Sequence, residues 1–238
     1  MGSRIVLDTL SYKYPGQTKY AISDISMEFI PGIIYGVIGS NGAGKTTLLK
    51  IVGLLLKPQE GKILINGENP WTNSIEYYRQ KTVYVHEKPI MLRTTVYNNL
   101  LYPLKLRGIP RGEAHKRIQS IAHTLGLSHL LKERAHKLST GQKQLVGIAR
   151  ALLVDPEIIA LDEPFSNLDF TKKKLVTSIL QKLSSKGKTI IVSSHDTLTI
   201  EKTSGQLIVL ENGKIICRGP TKKTIKFLYE RNSSCSDN

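Results

Sequence analysis

The stretch Gly39-Ser40-Asn41-Gly42-Ala43-Gly44-Lys45-Thr46-Thr47 constrains this chain more than any other. It fits the phosphate-loop pattern Gly-x4-Gly-Lys-Ser/Thr and stands between two segments of different character. Ile33 to Ile38 is short and apolar, which reads as a buried strand. Thr47 to Leu56 reads as an apolar helix ended near Pro58. Without a Cβ, the backbone at Gly39, Gly42 and Gly44 can take positive φ and turn its N–H groups inward. Those groups, with the positive end of the helix that follows, form a concave anion site. At this spacing Lys45 reaches the β- and γ-phosphates of a nucleotide, and the Thr46 hydroxyl ligates Mg2+.

Before the loop, Ile5-Val6-Leu7 and Ala21 to Ile30 flank a Tyr14-Pro15-Gly16 turn, the pattern of antiparallel strands. Tyr12 and Tyr14 alternate and are expected on one side of a strand. Residues 62–67 and Thr82 to Val85 give further strands. From Pro89 to Ala135 the pattern turns helical, with Val96 to Leu106 and Glu113 to Leu125 as two helices. In the second, Ala114, Ile118, Ile121, Ala122 and Leu125 share a face. Leu138 to Gln142 opens another helix reaching about Val154; Ser139 or Thr140 suits its N-cap, and Asp155-Pro156 stops it. Ile158 to Leu161 and Thr189 to Ser193 read as buried strands around a helix from Phe170 to Ser184. Asn212-Gly213 marks a hairpin between Leu207–Leu210 and Lys214–Arg218. A last helix, Thr221 to Glu230, precedes a polar tail, 231–238, expected to be disordered.

Asp162 and Glu163 end one strand, where α/β sheets place ligand sites. Mg2+ takes oxygen ligands and keeps several waters, so Asp162 suits it through a water, while Glu163 can polarise an attacking water. Two such acids alone are an ordinary turn; behind a phosphate loop they point to chemistry. His195 also ends a strand within reach of a γ-phosphate, although a lone histidine is more often structural. Asp169 equally suits the N-cap of the helix after it.

The net charge of +15 asks for an anionic partner, against the plainer reading of a solvated basic surface. Lys172, Lys173, Lys174, Lys182, Lys186 and Lys188 have no interleaved aromatics on which bases would stack. The apolar runs fall far short of the roughly 20 residues that span a bilayer, and Met1 to Val6 lacks the apolar core of a signal peptide. Cys217, in an apolar run, is expected in the core; Cys235 sits in the polar tail. Such cysteine usage fits a reducing compartment.

Taken in order, Gly39–Thr46, Leu138-Ser139-Thr140-Gly141-Gln142, Ile158–Glu163, Ser166-Asn167-Leu168-Asp169 and His195 resemble an ABC-type ATPase, the nucleotide-binding subunit of ATP-binding cassette systems. The likeness runs from about Ile5 to Leu228. It implies an α/β fold: a P-loop NTPase core with a mostly parallel sheet, an N-terminal antiparallel β subdomain, and an α-helical insert, about 88–154, carrying the signature motif. All of this would form a single domain over residues 1–230. The resemblance makes Tyr14 the residue that stacks on adenine, with Tyr12 its competitor. Gly39, Ser40, Asn41, Gly42, Ala43, Gly44, Lys45, Thr46 and Thr47 would hold the ATP phosphates and Mg2+. Ser139, Gly141 and Gln142 would face the γ-phosphate bound by the opposite subunit of a head-to-tail dimer. Glu163 becomes the catalytic base, Asp162 the metal-side acid, Asp169 a link between the paired sites and His195 the switch histidine.

Two positions depart from that family's pattern. Thr140 replaces the first glycine of Leu-Ser-Gly-Gly-Gln, leaving Ser139 and Gly141 to offer a hydroxyl and a close backbone N–H. Glu87 stands where a metal-contacting glutamine is usual; a carboxylate can ligate Mg2+ and accept from water but cannot donate, and it adds negative charge near the γ-phosphate. The resemblance implies a peripheral protein on the cytoplasmic face of a membrane, paired with a second such subunit, the same or different. Together they would drive an integral membrane permease. His86 to Gly108 is similar to oxyanion importers of the tungstate or molybdate kind. The alternative is a soluble ABC ATPase acting on nucleic acid or in assembly. The charge favours it; the short span from Lys45 to Ser139, without sustained heptads, does not.

Overall fold

The strand leading into the phosphate loop is buried at every position, which fixes where the loop sits. The computed structural model describes residues 2–233. In chain order the elements are β1 (Ile5–Tyr12), β2 (Ile22–Phe29), β3 (Ile34–Ile38), α1 (Lys45–Val52), β4 (Glu60–Ile65) and α2 (Ile75–Lys81). Then come β5 (Thr82–Val85), α3 (Val96–Leu106), α4 (Arg111–Thr124), α5 (Thr140–Leu152), β6 (Ile158–Leu161) and α6 (Phe170–Ser185). The last are β7 (Thr189–Ser193), α7 (Thr197–Thr203), β8 (Gln206–Glu211), β9 (Lys214–Pro220) and α8 (Thr221–Ser233).

A six-stranded sheet runs β5-β6-β7-β3-β8-β9, parallel throughout except for the β8–β9 hairpin. Strands covered on both faces need apolar side chains at nearly every position, which is what β3, β6 and β7 supply. A smaller antiparallel sheet, β2-β1-β4, packs beside it. Alternation along β3 divides the interior: Ile34 and Ile38 join a core shared with α3, α4, α5 and α6, while Tyr35 and Val37 join a core shared with α1 and the smaller sheet. Ala114, Ile118 and Ala122 are fully buried along α4, Leu125 is buried just past its end, and Ile121 is half-buried beside them. Among the described residues no helix is long and apolar enough to cross a membrane.

Several expectations need correction. Helix α1 ends at Val52, because Gly53 closes it well before Leu56. The short helices α2 and α7, each of seven residues, carry no clear apolar stripe in the sequence. Tyr14 lies past the end of β1 and not on a strand, though its ring still meets Tyr12 edge-on at 5.1 Å. Cys217 is half-buried on β9, whose exposure alternates along an edge strand, and packs against the margin of the core and not within it. Lys188 leaves the basic surface: it is 8% exposed and pairs with Asp155 at 2.8 Å. Helix α8 continues past Glu230, while Cys235 and the rest of the expected tail lie outside the described residues.

Candidate active site

The loop between β3 and α1 opens at the carboxyl end of the parallel sheet. Gly44 precedes α1 at φ 104°, and a Cβ there would stand 2.5 Å from the Ala21 carbonyl oxygen. Only glycine fits that position. No side chain caps the start of α1, so its first N–H groups remain available to an anion. Lys45 folds back over the loop, its Nζ donating to the carbonyls of Gly39 at 2.8 Å and Ser40 at 3.1 Å.

Asp162 follows β6 and is 2% exposed. A buried carboxylate needs donors, and three hydroxyls from three elements supply them. Thr46 Oγ1 donates to Oδ2 at 2.7 Å, Tyr84 OH to the same oxygen at 2.9 Å, and Ser193 Oγ to Oδ1 at 2.6 Å. Burial, then the Asp162 charge, pushes the Tyr84 phenol far above its ordinary pKa, so it remains a donor.

Glu163 takes φ 48°, the left-handed region that a side chain rarely adopts. Its N–H donates to Ser193 Oγ at 3.0 Å, so one serine hydroxyl joins both acids. Its Oε2 accepts from the His195 N–H at 3.3 Å and lies 2.9 Å from His195 Nδ1. The sequence offers one signal for Ser193: a hydroxyl at the last position of a buried strand beside the one carrying the acids.

A cleft of about 360 Å³ collects Tyr14, Asn41, Gly42, Ala43, Gly44, Lys45, Thr46, Thr47, Glu87, Asp162 and Glu163. The Tyr14 hydroxyl lies 3.3 Å from Thr47 Oγ1 at its edge. Ser139, Gly141, Gln142 and Asp169 do not line this cleft. Ser139 and Gln142 form a reciprocal capping box at the start of α5, and Asp169 caps α6 through Lys172 N–H at 2.9 Å. The two helix starts touch: a Cβ on Gly141 would lie 2.5 Å from Asn167 O.

Asp196, next to His195, caps α7. It accepts from Lys173 Nζ at 2.7 Å and from Thr199 Oγ1 at 2.7 Å. Burial opposes its charge, but the Lys173 ammonium and the Thr199 donors outweigh burial and hold its pKa far below the carboxylate range. A depressed pKa stabilises the fold above the unfolded value of about 3.9, and that contribution erodes as pH falls below it. Asp196→Asn is therefore expected to lower the urea midpoint at pH 7 and to lower it less at pH 3. Equal losses at both would contradict the pairing.

A family model described as ABC transporter matches residues 22–166, from β2 through the phosphate loop to the acids after β6. The chain belongs to the ABC transporter family. The ABC transporter ATP-binding protein NatA of Bacillus subtilis is 33% identical over 233 residues, covering 97% of this chain and 93% of NatA. The methionine import ATP-binding protein MetN 1 of Listeria monocytogenes is 35% identical over 88% of this chain, which spans 63% of that longer relative. A solved dimeric ATP-binding cassette, in a post-hydrolysis state bound to ADP and Pi, is 27% identical. It superposes with TM-score 0.82, covering 91% of this chain and 98% of its own. The expected P-loop core, antiparallel sheet and helical segment thus have the architecture of an ABC ATPase.

Proposed function

We propose that this ABC family member binds Mg-ATP in the cleft between Lys45 and Glu163. It then hydrolyses the ATP when a second subunit closes over the site, and so drives solute movement through a separate membrane permease. One observation carries the reading: Thr46, Asp162, Ser193, Glu163 and His195 are joined hydrogen bond to hydrogen bond at the mouth of the phosphate loop.

The residues present fit Mg2+. Thr46 Oγ1 and Asp162 Oδ2 are hard oxygens 2.7 Å apart, and Glu87 opens on the same cleft. No group of three or more His, Cys, Asp or Glu able to cage a metal occurs among the described residues. Such a sparse set suits an ion that keeps waters and takes phosphate oxygens. When bound, Mg2+ supplies charge neutralisation to the phosphates.

The chain's own residues do the rest. Lys45 and the loop N–H groups hold the phosphates. Glu163 accepts the proton of the water that attacks the γ-phosphorus, the bond to the bridging oxygen breaks, and ADP and phosphate leave. His195 holds the Glu163 carboxylate in aim. Tyr14 offers a face to adenine, and Ser139, Gly141 and Gln142 complete the site of the opposite subunit, with Asp169 beside their contact. Glu87, a carboxylate where a donor is usual, adds negative charge to the γ-phosphate end of the cleft.

For the permease, a groove of about 400 Å³ lies between the loop after β5 and helices α3 and α5, and Ile90 and Leu106 stand 79% and 70% exposed at its rim. Apolar side chains exposed around a groove favour a partner's surface. We therefore place the helical segment, about 88–154, against a permease, with the chain on the cytoplasmic face of the membrane. An oxyanion cargo rests only on the resemblance of His86 to Gly108; a relative with 35% identity is named for methionine import, so we assign cargo choice to the permease. Phosphate release that requires Mg2+ and rises faster than linearly with protein concentration is the expected result. No release, alone or with permease, would overturn the reading.

A further inference from the structure

We propose that Tyr84 is a positioning residue for the metal: its hydroxyl fixes the Asp162 carboxylate in the orientation that binds Mg2+. This deepens the reading of the cleft as an Mg-ATP site and rests on it.

The strand register places the ring. β5 pairs with β6 so that Tyr84 lies opposite Ala160 and Val85 opposite Leu161, and the Asp162 N–H donates to Val85 O at 2.9 Å. Val85 and Tyr84 point to opposite faces, Val85 into the core under α5 and Tyr84 into the core under α1. On that face Gly53, at the end of α1, leaves room: a Cβ there would stand 2.9 Å from Tyr84 Cβ. Ring and hydroxyl are thus steered beneath α1 to Asp162, which lines the cleft.

The hydroxyl's target is specific. Asp162 Oδ2 accepts from both Tyr84 at 2.9 Å and Thr46 at 2.7 Å, while Oδ1 is taken by Ser193 at 2.6 Å. Thr46 is itself the expected metal ligand, so the Tyr84 bond sets the oxygen that Thr46 shares with Asp162. With donors on both oxygens from β5, α1 and β7, the carboxylate cannot rotate. Removing Tyr84 OH leaves Oδ2 held from the Thr46 side alone. Partners one step outside a metal's ligands typically alter its affinity by about 10–100-fold.

A phenol that merely satisfies a buried carboxylate would affect stability and not the metal. Tyr84→Phe separates the two, because it keeps the ring in the Gly53 niche. The full chain is titrated with ATP in EDTA and again in saturating Mn2+, and the gain in ATP affinity brought by the metal is compared. For Tyr84→Phe we expect unchanged ATP affinity in EDTA and a metal gain about 10-fold smaller than the wild type's. An unchanged metal gain would overturn the proposal. So would an equal loss of ATP affinity in both conditions, or a variant that fails to fold. Wild-type chain that binds no ATP with or without Mn2+ would instead overturn the reading of the cleft.

Discussion

Replacing Glu163 by glutamine is expected to lower ATP turnover by about 10²–10⁴-fold, the range for a lost general base, while leaving ATP affinity nearly unchanged. The side chain keeps its length, so the contact of its oxygen with His195, now 2.9 Å, can persist. The backbone keeps its φ of 48° and the bond to Ser193 Oγ at 3.0 Å. What glutamine cannot do is take the proton of the attacking water. Phosphate release and equilibrium nucleotide binding, measured on the same preparation, separate the two effects. A variant turning over within a few-fold of the wild type would remove Glu163 from the chemistry.

Lys45→Ala is expected to weaken ATP binding by about 10–100-fold, since a hydrogen bond to a charged group contributes about 1.5–3 kcal/mol. The Lys45 ammonium rests on the carbonyls of Gly39 and Ser40, and the residue is 8% exposed. Those contacts hold it over the loop, where its charge can meet phosphate oxygens. Lys50, in the last turn of the same helix and outside the cleft, is the control; Lys50→Ala should bind as the wild type does. Equal ATP affinity in the Lys45 and Lys50 variants would contradict the assignment.

What the sequence made legible was local. The phosphate loop announces itself through glycine spacing between a buried strand and a helix, and the fully buried strands β6 and β7 are apolar runs that need no knowledge of their neighbours. Asp162 and Glu163 followed because they end such a run. Illegible were the contacts that depend on strand register. Ser193 and Tyr84 reach Asp162 across 31 and 78 positions of chain, and no periodicity within either segment announces the partner. Tyr14 lies off the strand because Pro15 and the bond from Lys13 N–H to Gln59 Oε1, at 2.8 Å, belong to a loop leaving it. Cys217 reaches only the margin of the core, because β9 is an edge strand whose exposure alternates from residue to residue. Ser139, Gly141 and Gln142 sit away from the cleft at the start of α5, so nothing within the one chain's cleft marks them; the role proposed for them is at the site of a second copy.

That second copy is the claim most open to direct measurement. Light scattering of the Glu163→Gln chain, with and without Mg-ATP and with the permease present where needed, reads the mass in solution. A nucleotide-dependent doubling is the predicted result; a chain that stays monomeric with Mg-ATP bound, even beside its permease, would contradict the account.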